Sequence, residues 1–167
     1  MDIKINSGMP GYIPGAIGRI TELHAHYYSA HHGFGLFFEA KVATEMSALL
    51  NNFNPDRDGF WTASYDGQII GSIAIDGSEA QSKGARLRWL IVAPGFQGRG
   101  TGTRLVESAL KFCADRGFGK IYLTTFAGLD AARHIYEKTG FRLVFEERGD
   151  FWGGPQLEQR FEKNTYP

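Results

Sequence analysis

Cysteine is almost missing. Cys113 is the one thiol in 167 residues, which excludes an internal disulfide and a cysteine-rich zinc site. Net charge is missing too: 18 Lys and Arg balance 18 Asp and Glu, so no bulk positive field recommends nucleic acid as a partner. No apolar run approaches the ~20 residues of a membrane span. Met1 to Met9 hold no basic segment followed by an apolar one, so a secretion signal is not expected and a cytoplasmic, reducing location is. Repeats and long linkers are also lacking, and residues 1–167 read as one domain.

Glycine and aromatics are plentiful. There are 22 glycines and the aromatic share is 14%, against a glycine content near ~7% in ordinary proteins. Glycine at that level without low complexity points to backbone that turns tightly or approaches a ligand closely. Charge is split along the chain. Residues 1–83 hold 5 basic and 9 acidic side chains, net −4, and residues 84–167 hold 13 basic and 9 acidic, net +4.

The apolar period predicts a short strand at Ile3 to Ile5, a Gly/Pro-rich loop from Gly8 to Gly15, and helices at Ala16 to Tyr28 and Leu36 to Leu50. Ser29 to Gly35 reads as a connection. From Phe60 the period becomes two: strands at Phe60 to Tyr65 and Gln68 to Ile75 flank Asp66-Gly67, a hairpin signal. Arg86 to Val92 is the next strand. Thr101 to Arg116 is an amphipathic helix ended by Gly117, and Lys120 to Thr125 is a strand. Asp130 is expected to N-cap a helix to Thr139, stopped by Gly140. Strands at Phe141 to Glu147 and Gln156 to Glu162 close the chain. Hairpins early and strand–helix–strand units late make this an α+β, or mixed α/β, fold.

The segment Leu87 to Val106 carries most of the chemistry. An apolar strand runs into a glycine-dense turn and straight into a helix. Amides at a helix start have no intrahelical partner, and with the helix dipole they attract anions. Gly98, Gly100 and Gly102 clear side chains from the turn, and Arg99 adds a positive charge. There is no Gly-Lys-Ser or Gly-Lys-Thr, so a Walker loop is excluded, and the dinucleotide G-x-G-x-x-G spacing fails at Thr103 and Leu105. What stands is Q-x-x-G-x-G at Gln97, Gly100 and Gly102, preceded by Val92 and Pro94.

That pattern resembles motif A of the GNAT superfamily of N-acetyltransferases, which binds the pyrophosphate of acetyl-coenzyme A. Ala132, Tyr136, Gly140 and Phe141 resemble the motif B helix of the same superfamily. The resemblance covers Phe60 to Phe161, and within it I-Y-E-K-T-G-F-R-L and the tail from Trp152 to Glu162 are similar to acetyltransferase domains fused to MarR-type regulators. It implies a mostly antiparallel central sheet flanked by helices, and an acetyl-CoA-dependent N-acetyltransferase acting by direct attack of an amine. It places acetyl-CoA along Leu90, Ile91 and Val92 and at Gln97, Gly98, Arg99, Gly100, Thr101, Gly102 and Thr103. It makes Tyr136 the acid that protonates the leaving thiolate. Leu129 departs from the pattern, which often has Asn there.

Two other readings stay open: a non-catalytic acyl-CoA-sensing module, and an interaction domain that keeps only the fold. No general base is evident; Glu39, Asp76 and Glu79 are candidates. His24, His26, His31 and His32 lack a nearby carboxylate or cysteine, so no metal is expected, and a surface or acceptor-loop role is. Cys113, on an apolar helix face, reads as core. The partner expected is a small-molecule or peptide amine, without nucleic acid or membrane; a homodimer is compatible with the resemblance. The acidic first half, which would cover the amine side, predicts a preference for cationic acceptors.

Overall fold

After a short first strand, apolar residues at helical spacing run to residue 51; from residue 59 strand and helix spacing alternate, and the chain folds accordingly. The structure is a computed structural model that describes residues 1–9 and 12–165. Part of the expected Gly8 to Gly15 loop, Pro10 and Gly11, lies outside the described residues. The elements are β1 (Lys4–Ser7), α1 (Ala16–His32), α2 (Leu36–Asn51), β2 (Gly59–Tyr65), β3 (Gln68–Asp76), β4 (Ala85–Val92), α3 (Thr101–Asp115), β5 (Lys120–Phe126), α4 (Asp130–Lys138), β6 (Arg142–Gly149) and β7 (Gln156–Asn164). A single 3₁₀ turn spans Pro94–Phe96.

The seven strands form one sheet in the order β1-β2-β3-β4-β5-β7-β6. Every neighbouring pair is antiparallel except β4 with β5. This is the mixed, mostly antiparallel sheet flanked by helices that the resemblance implies. Leu105, Val106, Ala109 and Cys113 of α3 are buried in a core with Ile73, Ile75, Leu87 and Ile121 of the sheet. A second core joins Ile20 of α1, Phe38, Val42 and Met46 of α2, and Phe60, Ala74 and Phe126 of the sheet.

Two local expectations need correction. The connection read from Ser29 to Gly35 begins later, because α1 continues through His31 and His32. Nothing from Ser29 to His32 breaks a helix. Gly33 does, at φ 68°, with its N–H donating to the Ser29 carbonyl. Asp130 is not an N-cap: it is the first residue of α4, and Leu129 holds the cap position without a capping side chain. The hairpin turn at Asp66-Gly67 forms as read, with φ 48° and 75°.

The feature that positions the site is a break in pairing. β4 and β5 pair at Ala85↔Ile121 and Arg86↔Tyr122. Beyond those two rungs β5 continues along β7 and not along β4. The divergence coincides with a β-bulge: Ala74 faces Arg88 and Ser72 faces Ile91, so Trp89 and Leu90 together oppose Ile73. Trp89 has φ 51°, a left-handed conformation that costs a non-glycine residue energy. The fully buried Ser72 holds it there, its hydroxyl donating to the Trp89 carbonyl at 2.7 Å. Ser72→Ala removes this bond and is expected to destabilise the fold by about 1–2 kcal/mol in urea unfolding. An unchanged midpoint would show that the bulge stands without it.

Candidate active site

The turn after β4 is built from φ angles and one close contact. Gly98 and Gly100 have φ 72° and 78°, with open space where a Cβ would stand. Gly102 serves differently: a Cβ there would lie 2.9 Å from Ile135 Cδ1, so it lets α3 approach α4. No side chain caps α3. Among the described residues no acceptor meets the amides of Gly98, Arg99, Gly100, Thr101, Gly102 and Thr103; the first bonded amide is Arg104, donating to the Gly100 carbonyl. Thr101 is 2% exposed and its Oγ1 has no partner. Arg99 is exposed and makes no ion pair among the described residues. Such a run of free N–H groups beside a free guanidinium fits a phosphate. Gln97 does something else: its side-chain amide donates to the Val92 carbonyl at 2.9 Å and braces the turn.

Strand β4 leads from this turn into the gap. The Ala93 N–H donates to Ile70 on the β3 side. Alternation then sends the Leu90 and Val92 amides toward the gap and the Ile91 amide toward β3. Ile91 therefore supplies buried packing at that point, not a donor.

The gap opens on a cavity of about 110 Å³ on the α1–α2 side of the sheet, bounded by β4, β5, those helices and the Phe151–Trp152 loop. Tyr136 of α4 reaches it with 6% exposure, its ring centre 6.0 Å from those of Phe141 and Phe161. Burial raises its phenol above the ordinary value, so the hydroxyl keeps its proton at neutral and mildly alkaline pH. Tyr28 also lines the cavity and is raised by burial, then by the neighbouring Tyr136.

The sequence reading missed several lining groups, Glu45 and His24 among them. Glu45 of α2 faces the cavity, whereas Glu39, Asp76 and Glu79 do not line it. His24, expected at the surface or in the acceptor loop, is 4% exposed and lines the cavity, while His26 and His31 are exposed. Its Nδ1 lies 2.8 Å from the Ile20 carbonyl, which requires Nδ1–H as donor and leaves Nε2 as an acceptor. The four-residue periodicity of Ile20, His24 and Tyr28 was the available signal. Leu129, at the departed position, lines the cavity as an apolar group. Cys113 is fully buried, with its thiol pushed up to about 12 by burial, as a core residue should be. Among the described residues no group of three or more His, Cys, Asp or Glu side chains is placed to hold a metal ion, and no helix is long and apolar enough to cross a membrane.

Known proteins share both sequence and shape with this chain. The family model described as the acetyltransferase (GNAT) family matches residues 19–141. A Xenopus tropicalis protein called Probable N-acetyltransferase camello is 28% identical over 117 residues, 69% of this chain and 52% of that protein. The chain thus spans about half the length of that relative. The crystal structure of PH1933 from Pyrococcus horikoshii superposes with a TM-score of 0.76 at 20% identity, covering 99% of this chain and 100% of that one. Salmonella typhimurium yncA, solved with its cofactor acetyl-CoA, superposes with a TM-score of 0.70 at 14% identity over 98% and 94% of the two chains.

Burial lowers His24 from its ordinary value to about 4. The unfolded chain, where histidine titrates near ~6.5, then binds the proton first as pH falls. Stability from keeping His24 neutral is present above pH ~6.5 and is lost as pH falls toward 4, a difference of up to about 3 kcal/mol. Urea unfolding at pH 7 and pH 4.5 should show His24→Gln losing less stability than the wild type across this window. Equal losses would mean that the His24 site admits a charged ring.

Proposed function

The chain belongs to the GNAT acetyltransferase family, and from that premise we propose that it is an acetyl-CoA-dependent N-acetyltransferase. It transfers the acetyl group to a primary amine by direct attack, with no covalent enzyme intermediate. The observation that carries this reading is the pairing of unbonded amides at Gly98 to Thr103 with a β4 that has left β5. A sheet that only had to be stable would close both.

Each role falls to a named group. The Gly98 to Thr103 amides and Arg99 hold the pyrophosphate. Leu90 and Val92 offer amides along the gap to the pantetheine arm, and the same dipoles polarise a thioester carbonyl placed beside them. Acetyl-CoA supplies the activated acyl group. Tyr136 donates the phenolic proton to the thiolate as the C–N bond forms and the C–S bond breaks, and the proton that the acylated nitrogen releases restores the phenol. His24, held neutral, accepts a hydrogen bond at Nε2 from the acceptor amine and helps to orient it. Glu45 has its two oxygens engaged by Lys41 and Arg88; the attacking amine enters in its neutral form. The likeness to domains fused to MarR-type regulators, carried by residues 135–143 and 152–162, remains part of the proposal as kinship only.

Two variants test it. Tyr136→Phe should lower the rate of acetyl transfer by ~10²-fold or more with little change in acetyl-CoA affinity. An unaffected turnover would make Tyr136 a packing residue. Gly100→Asp introduces a residue type that tolerates the left-handed conformation, in open space, with its carboxylate at the phosphate site. Calorimetry should show acetyl-CoA affinity falling at least tenfold, about 1.4 kcal/mol. Unchanged affinity in the folded variant would remove the cradle assignment.

A further inference from the structure

The charged groups around the cavity do not balance. Lys41 and Glu45 stand one turn apart on α2, with Lys41 Nζ 2.9 Å from Glu45 Oε1. Arg88 of β4 reaches the other oxygen of the same carboxylate at 2.7 Å, and its side chain is 13% exposed. One carboxylate therefore answers two cations. Arg86, two residues before Arg88 on the same strand, has no ion pair among the described residues. One of its terminal nitrogens donates to the neutral Thr124 hydroxyl at 3.1 Å, and its Nε is buried with no hydrogen-bond partner among the described residues.

Buried unpaired cationic N–H groups are costly, and two neighbouring guanidiniums repel. Burial, and then the Arg86 charge, both work against the charge on Arg88; Glu45 and Asp76 oppose them only in part. Asp76 does not line the cavity, and its Oδ1 already accepts from the Ser78 amide and hydroxyl. Three cations thus meet one carboxylate at the wall, with a second one behind. The half-chain charge count, which predicted a cationic acceptor, does not describe the cavity. Its acidic residues lie mostly elsewhere, and two arginines of the basic half reach in.

We propose that the acceptor amine carries a carboxylate, held by Arg86 and Arg88, so that the substrate is a small aminocarboxylate such as an α-amino acid. This rests on the acetyl-transfer reading above. The rest of the molecule would lie against Phe38, Phe126, Phe151 and Trp152, which form the apolar wall. Bidentate pairing suits a guanidinium and a carboxylate, and a site built for that charge discriminates strongly against a neutral analogue. A peptide whose free amine lies far from any carboxylate would leave Arg86 unmatched.

The test compares each common α-amino acid with its own carboxamide at low salt, with rates of CoA release referred to the unprotonated amine. The best acids should exceed their amides at least tenfold in kcat/KM. Arg86→Gln should raise KM for the acids at least tenfold, leave kcat close to wild type and leave the amides little changed. Amides equal to or better than acids, or an Arg86→Gln effect shared equally by both, would overturn the proposal. The same acids and amides are also titrated calorimetrically into the wild-type protein saturated with CoA. Tighter binding of acids without turnover of any amine would support the carboxylate site and contradict acetyl transfer. No acid binding more tightly than its amide would overturn the carboxylate site whatever the turnover.

Discussion

The separation of β4 from β5 is the constraint on which the rest depends. A sheet gains stability by pairing its backbone groups, and two strands that start in register at Ala85 and Arg86 would ordinarily continue. Here they do not, and β4 carries a bulge at the same place, with Trp89 in a left-handed conformation. The cost is local, and Ser72 is placed to offset it. In return the molecule has a slot with donors along one wall, a turn of unbonded amides at one end and a cavity at the other. Both ends are reached from the same strand, β4.

The two ends also differ in how their charge is arranged. At the turn the positive field comes from backbone amides and one exposed arginine, which makes it open and adaptable. In the cavity it comes from Arg86 and from Lys41 and Arg88, the last two locked by Glu45 and by the rings of Phe151 and Trp89. Lys41 Nζ sits 3.9 Å from the Phe151 ring centre and Arg88 Cζ 4.2 Å from that of Trp89. Rigid charge of this kind selects among ligands more than it attracts them.

Much of this was legible in the sequence where one residue carries one physical demand. Asp66-Gly67 marked a hairpin, Gly140 ended a helix, and the glycines after Val92 marked a tight turn, with Gly98 and Gly100 at positive φ. Gly102 shows the limit: the glycine was visible, but its contact with Ile135 depends on α4, more than thirty residues later. Trp89 gave no sign of its bulge, because the mismatch exists only against β3. The cavity was the least legible part. Arg86, Arg88 and Glu45 look like ordinary surface charges until α2 is laid across β4. Net charge per half of the chain carried no information about which of them face inward. His24 was hidden by three neighbouring histidines.

The central claim is that the turn amides and the β4 amides form one binding track. Amide hydrogen exchange resolved along the backbone, with and without acetyl-CoA, tests it most directly. The account predicts added protection at Gly98 to Thr103 together with Leu90 and Val92, and little change at Ile91, whose N–H faces β3 already. Protection absent from the turn, or confined to another face of the sheet, would contradict it.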